Sequence, residues 1–63
     1  MILKEGTMVT YKTEYAEEKG RVKSIPNEEF AFVVYSCDGN WNDYKDYTAE
    51  RTRISDLELG WDN

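Results

Sequence analysis

Alternation of apolar and polar residues predicts short β-strands along most of this chain. In residues 7–12, Val9 and Tyr11 alternate with Thr10 and Lys12, and β-branched and aromatic side chains suit a pleated surface. These residues are therefore predicted to form the first strand.

A second strand is predicted over residues 20–25, which follow a polar stretch. Val22 faces one side of this segment while Arg21 and Lys23 face the other. Pro26 ends the strand because proline has no amide hydrogen for a sheet ladder. The preceding residues, 14–18, are compatible with either a loop or a helical turn.

The third predicted strand, residues 30–35, is apolar on both faces and is therefore expected at the centre of the sheet. We expect Phe30, Phe32 and Val34 to point into the core. The following residues, 36–40, contain an Asp-Gly pair that is typical of a turn.

The last third of the chain predicts two more strands around a short helical turn. Residues 50–54 alternate Thr52 and Ile54 against two arginines, residues 55–57 can begin a helical turn, and residues 57–61 close the chain. Five short strands without a long 3.6-residue period predict a mainly β fold, a strongly bent antiparallel sheet closed into a small barrel.

Three motifs carry a resemblance to a known fold family. The strings "KGRVKSI" at 19–25, "FVVY" at 32–35 and "SDLELGW" at 55–61 resemble the small SH3-like barrels of Tudor and KOW domains. The resemblance implies one SH3-like barrel domain over residues 1–63, with a 3₁₀ turn before the last strand. The pattern is also similar to uncharacterised small proteins of bacteriophages and mobile elements, which implies an accessory role but no activity.

Composition narrows the classes of function. The chain has 63 residues, a net charge of −5, no histidine and one cysteine, Cys37. An internal disulfide and a Cys/His zinc site are therefore excluded, and no Ser or Cys nucleophile has a histidine base. We predict no enzymatic activity and no cofactor. The lone thiol, together with the lack of a signal peptide or a membrane-length apolar run, favours a cytoplasmic location.

The string "DGNWND" begins like a calcium-binding loop, because Asp38, Asn40 and Asn42 occupy the first, third and fifth positions of an EF-hand pattern. The sixth position is Asp43 where glycine is required, and the twelfth is Ala49 where a bidentate glutamate is required. We therefore predict no metal site, and solvated turn residues explain the string equally well.

The stretch "GNWNDYKDY", residues 39–47, is the strongest candidate for a binding surface. Tryptophan and tyrosine offer large contact areas at low entropic cost, and nearby carboxylates attract a cation, so the partner is expected to be a protein or a basic peptide. The predicted partner-binding residues are Tyr35, Trp41, Asp43, Tyr44, Asp46 and Tyr47. The alternative is that these rings only cover a small core, which a chain of this length needs.

A rival interpretation assigns a nucleic-acid partner to a basic face. Its residues, expected on the outward faces of the second and fourth strands, are Lys19, Arg21, Lys23, Arg51 and Arg53. Phosphates would bind these cations and a tyrosine would stack on a base, although the net charge opposes such a partner. The same cations can instead pair with neighbouring glutamates. The chain is expected to be a monomer or a weak homodimer.

Overall fold

The computed structural model describes residues 3–61 and contains one five-stranded antiparallel sheet. Its strands are β1 (Met8–Lys12), β2 (Glu17–Ser24), β3 (Phe30–Val34), β4 (Glu50–Arg53) and β5 (Leu57–Leu59). They lie in the order β4-β3-β2-β1-β5. Two 3₁₀ segments occur, a first at Trp41–Asp46 and a second at Ile54–Asp56. No helix among these residues has the length and apolar character needed to cross a membrane.

The mainly β class and the 3₁₀ turn before the last strand are confirmed, whereas closure into a barrel is not. β4 and β5 are the two edges of the sheet, and no ladder joins them within residues 3–61. The second 3₁₀ segment connects these edges directly. The described architecture is therefore an open sheet.

Residues 14–18, for which the sequence left two alternatives, form neither a helical turn nor only a loop. The hydroxyl oxygen of Thr13 accepts hydrogen bonds from the amides of Tyr15 and Ala16, which makes a compact turn. β2 then begins at Glu17, three residues earlier than predicted, and pairs with Lys12 at the end of β1. Polar residues can extend this hairpin because the side chains of residues 17–19 are exposed to water.

The sheet buries residues on both of its faces. Val22 pairs with Val33, and Arg21 pairs with Val34; because side chains alternate along a strand, these two pairs lie on opposite faces. The first face carries the first core, made of Val9, Val22, Ala31, Val33 and Leu57. The second face carries a smaller second core, made of Val34, Cys37 and Tyr44.

The predicted orientation of β3 is wrong. Ala31 and Val33 are fully buried in the first core, while Phe30 and Phe32 are only half-buried on the second face. Val34 is buried as predicted, but in the second core. In a strand that is apolar at every position, the sequence does not show which alternate residues face the core. The pairing of β3 with its neighbours decided which residues face the first core.

The packing of the first face is predicted to require glycine at position 20. A Cβ at this position would lie 2.5 Å from Cγ1 of Val33 and 2.9 Å from the ring of Tyr35. Gly20→Ala should therefore lower the free energy of unfolding by about 1–3 kcal/mol through overpacking. Urea denaturation measures this loss, and the exposed Ser36→Ala serves as the control with a change within about 0.5 kcal/mol. Equal stability of both variants would contradict the assignment.

Candidate interaction site

The aromatic stretch after β3 forms the first 3₁₀ segment. Asp38 and Gly39 adopt positive φ angles of 51° and 82°, a turn that Asp-Gly favours. The amide of Asn40 then donates to the carbonyl of Cys37, and the amide of Asp43 donates to that of Asn40. This turn lays the segment back across the second face of the sheet, where it contacts β2.

Tyr44 fixes the segment to the sheet by burial. Its side chain is only 6% exposed and packs with Val34 and Cys37 in the second core. Its ring also lies 4.5 Å below the guanidinium of Arg21. Tyr44 therefore belongs to the core, which is the alternative that the sequence left open, and its ring is not available as a flat binding platform.

Arg21 and Lys23 hold the same segment through its backbone. Arg21 donates to the carbonyl of Gly6 and to that of Trp41, each at 2.8 Å. Lys23 donates to the carbonyl of Tyr47 at 2.9 Å. Two of the five cations in the predicted nucleic-acid face are therefore bound to carbonyl oxygens at the two ends of the aromatic segment.

Trp41 lies at the other side of the segment, against the end of the chain. Its ring centroid is 5.0 Å from that of Trp61, with an interplanar angle of 58°, a tilted arrangement that aromatic pairs favour. The indole nitrogen of Trp61 donates to the carbonyl of Gly20 at 3.0 Å. The two half-buried tryptophans therefore cover one end of the sheet together.

The other predicted partner-binding residues of the segment differ in exposure. Asp43 and Asp46 are exposed, whereas Tyr47 is half-buried. The hydroxyl of Tyr47 accepts a hydrogen bond of 3.1 Å from the side-chain amide of Asn40. The segment thus presents carboxylates to solvent and directs Tyr47 towards the end of β3.

A depression of about 430 Å³ lies beside Tyr47 and contains no basic residue in its lining. Two carboxylates and two tyrosines dominate its walls, which come from β2, from β4 and from the residues that follow β3. The lining residues are Glu18, Tyr35, Ser36, Tyr47, Thr48 and Glu50. Tyr35 and Tyr47 were predicted as partner-binding residues, and the structure brings both to this depression.

A second, smaller depression of about 180 Å³ shares part of this wall. Glu18, Tyr35 and Glu50 line both depressions. The second depression continues along β4 and reaches Tyr11 and Asp56. We refer to the two together as the groove.

Tyr35 forms the common wall of the groove. Its hydroxyl shares a hydrogen bond of 2.7 Å with the hydroxyl of Thr52, and its ring centroid lies 6.1 Å from that of Tyr11. Burial raises the pKa of Tyr35, and the nearby negative charge of Glu18 and Glu50 raises that pKa further. The groove therefore combines an aromatic wall with the carboxylates of Glu18 and Glu50, and its second depression also contains Arg51 and Arg53.

The three other predicted nucleic-acid residues remain exposed, but they lie apart. Lys19 lies 5.6 Å over the ring of Trp61. Arg51 and Arg53 lie 4.5 Å and 5.8 Å from the ring of Phe30, on the far side of β3. The five predicted cations therefore have different partners: Lys19 contacts Trp61, Arg51 and Arg53 contact Phe30, and the other two bind backbone carbonyls.

Seven residues that line the groove belong to neither predicted site: Tyr11, Glu18, Ser36, Thr48, Glu50, Thr52 and Asp56. Tyr11 and Glu18 are direct partners in the β1–β2 ladder, and Glu50 pairs with Val33. Alternation placed Tyr11 on the same side as Val9, which is the first face, but no local pattern relates Glu18 to Glu50. Their proximity arises because β2 and β4 flank β3 in the sheet.

Comparison of the chain with models of known protein families, with curated proteins and with solved structures found no match. The site is therefore interpreted from its own geometry.

Arg21 is predicted to stabilise the fold much more than an exposed arginine does. Arg21→Met removes two charged hydrogen bonds and the contact with Tyr44, so the free energy of unfolding should fall by about 2–3 kcal/mol. Arg51→Met is the matched control, since it removes only a ring contact worth about 0.5–1 kcal/mol. Urea denaturation of both variants measures the difference, and comparable losses would refute this role of Arg21.

The raised pKa of Tyr35 predicts a stability loss in alkali. The unfolded tyrosine ionises near pH 10, whereas the folded one keeps its proton to higher pH. The contribution of Tyr35 to the free energy of unfolding is therefore complete below pH about 10 and is lost as the pH rises through the pKa of the folded state. Melting temperatures across this range should fall less steeply for Tyr35→Phe than for the parent. Tyr15→Phe, a change at a 93% exposed residue, should follow the parent curve.

Proposed function

We propose that this chain is a small non-catalytic interaction module that binds a lysine- or arginine-bearing segment of another protein in the groove. The observation that carries the proposal is that the carboxylates of Glu18 and Glu50 line both depressions together with the half-buried Tyr35. A role as an accessory protein of a phage or mobile element and a cytoplasmic location stay predictions from the sequence.

The chemistry of the larger depression favours a cation. Its six lining residues include two carboxylates and two tyrosines but no lysine or arginine. A cation over an aromatic ring gains about 0.5–1 kcal/mol at an exposed site, and neighbouring carboxylates add charge-assisted hydrogen bonds. A long basic side chain also places its apolar stem against the tyrosine rings.

The proposed site retains part of the predicted one and changes its acidic residues. Tyr35 and Tyr47 contribute aromatic surface, while Trp41 contacts Trp61 and Tyr44 lies in the second core. The carboxylates that line the larger depression are Glu18 and Glu50 rather than Asp43 and Asp46. The latter pair lies on the exposed side of the first 3₁₀ segment.

We also propose that the bent sheet belongs to the SH3-like class. The strand order β4-β3-β2-β1-β5 and the 3₁₀ turn between β4 and β5 support this assignment. They agree with what the resemblance of residues 19–25 and 55–61 implies.

Nucleic acid is the second candidate partner. Arg51 and Arg53 are exposed beside the half-buried ring of Phe30, and this combination suits phosphate binding and base stacking. The available set is smaller than predicted because Arg21 and Lys23 donate to backbone carbonyls. The net charge of −5 also repels a polyanion.

Binding of a fluorescent lysine- and arginine-rich peptide tests the proposed function. Glu18→Gln combined with Glu50→Gln should weaken binding about tenfold, which corresponds to 1.4 kcal/mol, because it removes both carboxylates of the larger depression. Asp43→Asn combined with Asp46→Asn is the matched control: the same two charges are lost outside the groove, so we expect a change below about twofold at fixed salt. Fluorescence anisotropy measures both affinities.

Equal losses in the two double variants would show that only net charge matters and would refute the groove.

A single-stranded oligonucleotide in the same assay tests the second candidate. Its binding should disappear in Arg51→Glu combined with Arg53→Glu if nucleic acid is the partner. Thermal melts of all variants check that each remains folded.

A further inference from the structure

β4 presents an open edge to the groove. It is the terminal strand of the sheet, and within residues 3–61 its strand neighbour is β3. All four of its residues, Glu50–Arg53, line the second depression. The outer backbone groups of an edge strand can accept a further strand, which is a recurrent mode of peptide recognition.

The two faces of this edge carry opposite charge. Thr52 pairs with Ala31 and Glu50 pairs with Val33, so both belong to the first face. Arg51 and Arg53 belong to the second face, because alternate residues of a strand point to opposite sides. The edge therefore carries a negative charge on its first face and two positive charges on its second face.

This charge pattern opposes pairing of β4 with its counterpart in a second copy. An antiparallel pair that continues the sheet must place first-face residues opposite first-face residues. Every such register sets like charges opposite each other: Glu50 against Glu50, Arg51 against itself or Arg53, or Arg53 against Arg53. Like charges directly opposite are destabilising, so the pattern favours a strand of different sequence.

We propose that the protein segment bound by this module adds to β4 as an antiparallel strand with alternating charge. Its acidic residues lie opposite Arg53 and Arg51, and its basic residue lies opposite Glu50. Since Glu50 lines both depressions, the basic side chain enters the larger one. The recognised pattern is acidic, β-branched, acidic, basic. This inference rests on the proposed function and specifies the partner.

The end-blocked peptide Thr-Glu-Val-Glu-Lys-Thr is the probe, and Thr-Glu-Glu-Val-Lys-Thr is its control of equal composition and charge. NMR titration should show binding of the probe about tenfold tighter, because only the probe sets both glutamates opposite arginines. Amide hydrogens of β4 should gain protection from exchange when the probe binds. Equal affinities, or protection elsewhere without protection of β4, would overturn the proposal.

Backbone methylation of the probe tests strand addition without altering the protein. In a β-ladder, alternate amides point towards the neighbouring strand, so N-methylation should abolish binding at alternate positions and have little effect at those between. The same small effect at every position would overturn the proposal.

Charge inversion tests the register. The variant with Glu50→Lys, Arg51→Glu and Arg53→Glu should prefer Thr-Lys-Val-Lys-Glu-Thr over the original probe, reversing the order of the parent. An unchanged preference would overturn the proposal.

Sedimentation of the free parent protein tests whether a second copy occupies the β4 edge. A dimer with protected β4 amides would assign the edge to self-association and refute the foreign strand.

These outcomes separate the inference from the proposed function. If the basic peptide depends on Glu18 and Glu50 while the probe ignores charge order and methylation, the function stands and the added strand is refuted. If the probe protects β4 but its affinity is unaffected by Glu18→Gln combined with Tyr47→Ala, the added strand stands and the basic groove is refuted.

Discussion

The attachment of the first 3₁₀ segment to the second face of the sheet is the constraint on which the rest of the structure depends. Arg21 binds the carbonyls of Gly6 and Trp41 and lies over the ring of Tyr44. A five-stranded sheet in so short a chain can form one core on its concave side, but its other side needs a cover. The segment supplies that cover and gives Val34 and Cys37 complete or near-complete burial.

This arrangement explains why aromatic and charged residues that look alike in the sequence have different roles. Tyr44 is buried in the second core and Trp41 packs against Trp61. Tyr35 and Tyr47, in contrast, line the groove. Arg21 and Lys23 are bound to carbonyls, whereas Arg51 and Arg53 stay exposed. Each of these stabilising contacts therefore removes a residue from the candidate binding surface, while the two groove tyrosines keep their place in it.

In the proposed binding mode, the groove and the β4 edge combine two sources of recognition. Carboxylates and tyrosine rings act on a side chain, while an edge strand acts on a backbone. Such a division suits a small domain, because backbone pairing gives affinity without a deep pocket and the alternating charges of Glu50–Arg53 give orientation and specificity. The same charges oppose β4–β4 self-pairing, a hazard of any sheet with open edges.

Sequence alone determined the bounds of the five strands to within about three residues and the short helical turn before β5. It also determined that Thr52 and Ile54 alternate with Arg51 and Arg53. These features depend on local periodicity and turn chemistry. Tertiary structure decided which face of β3 enters the first core, how Tyr44 and Arg21 are used, and that Glu18 approaches Glu50. Those outcomes depend on pairing between strands distant in the chain, and a local pattern contains no information about which strand lies beside which.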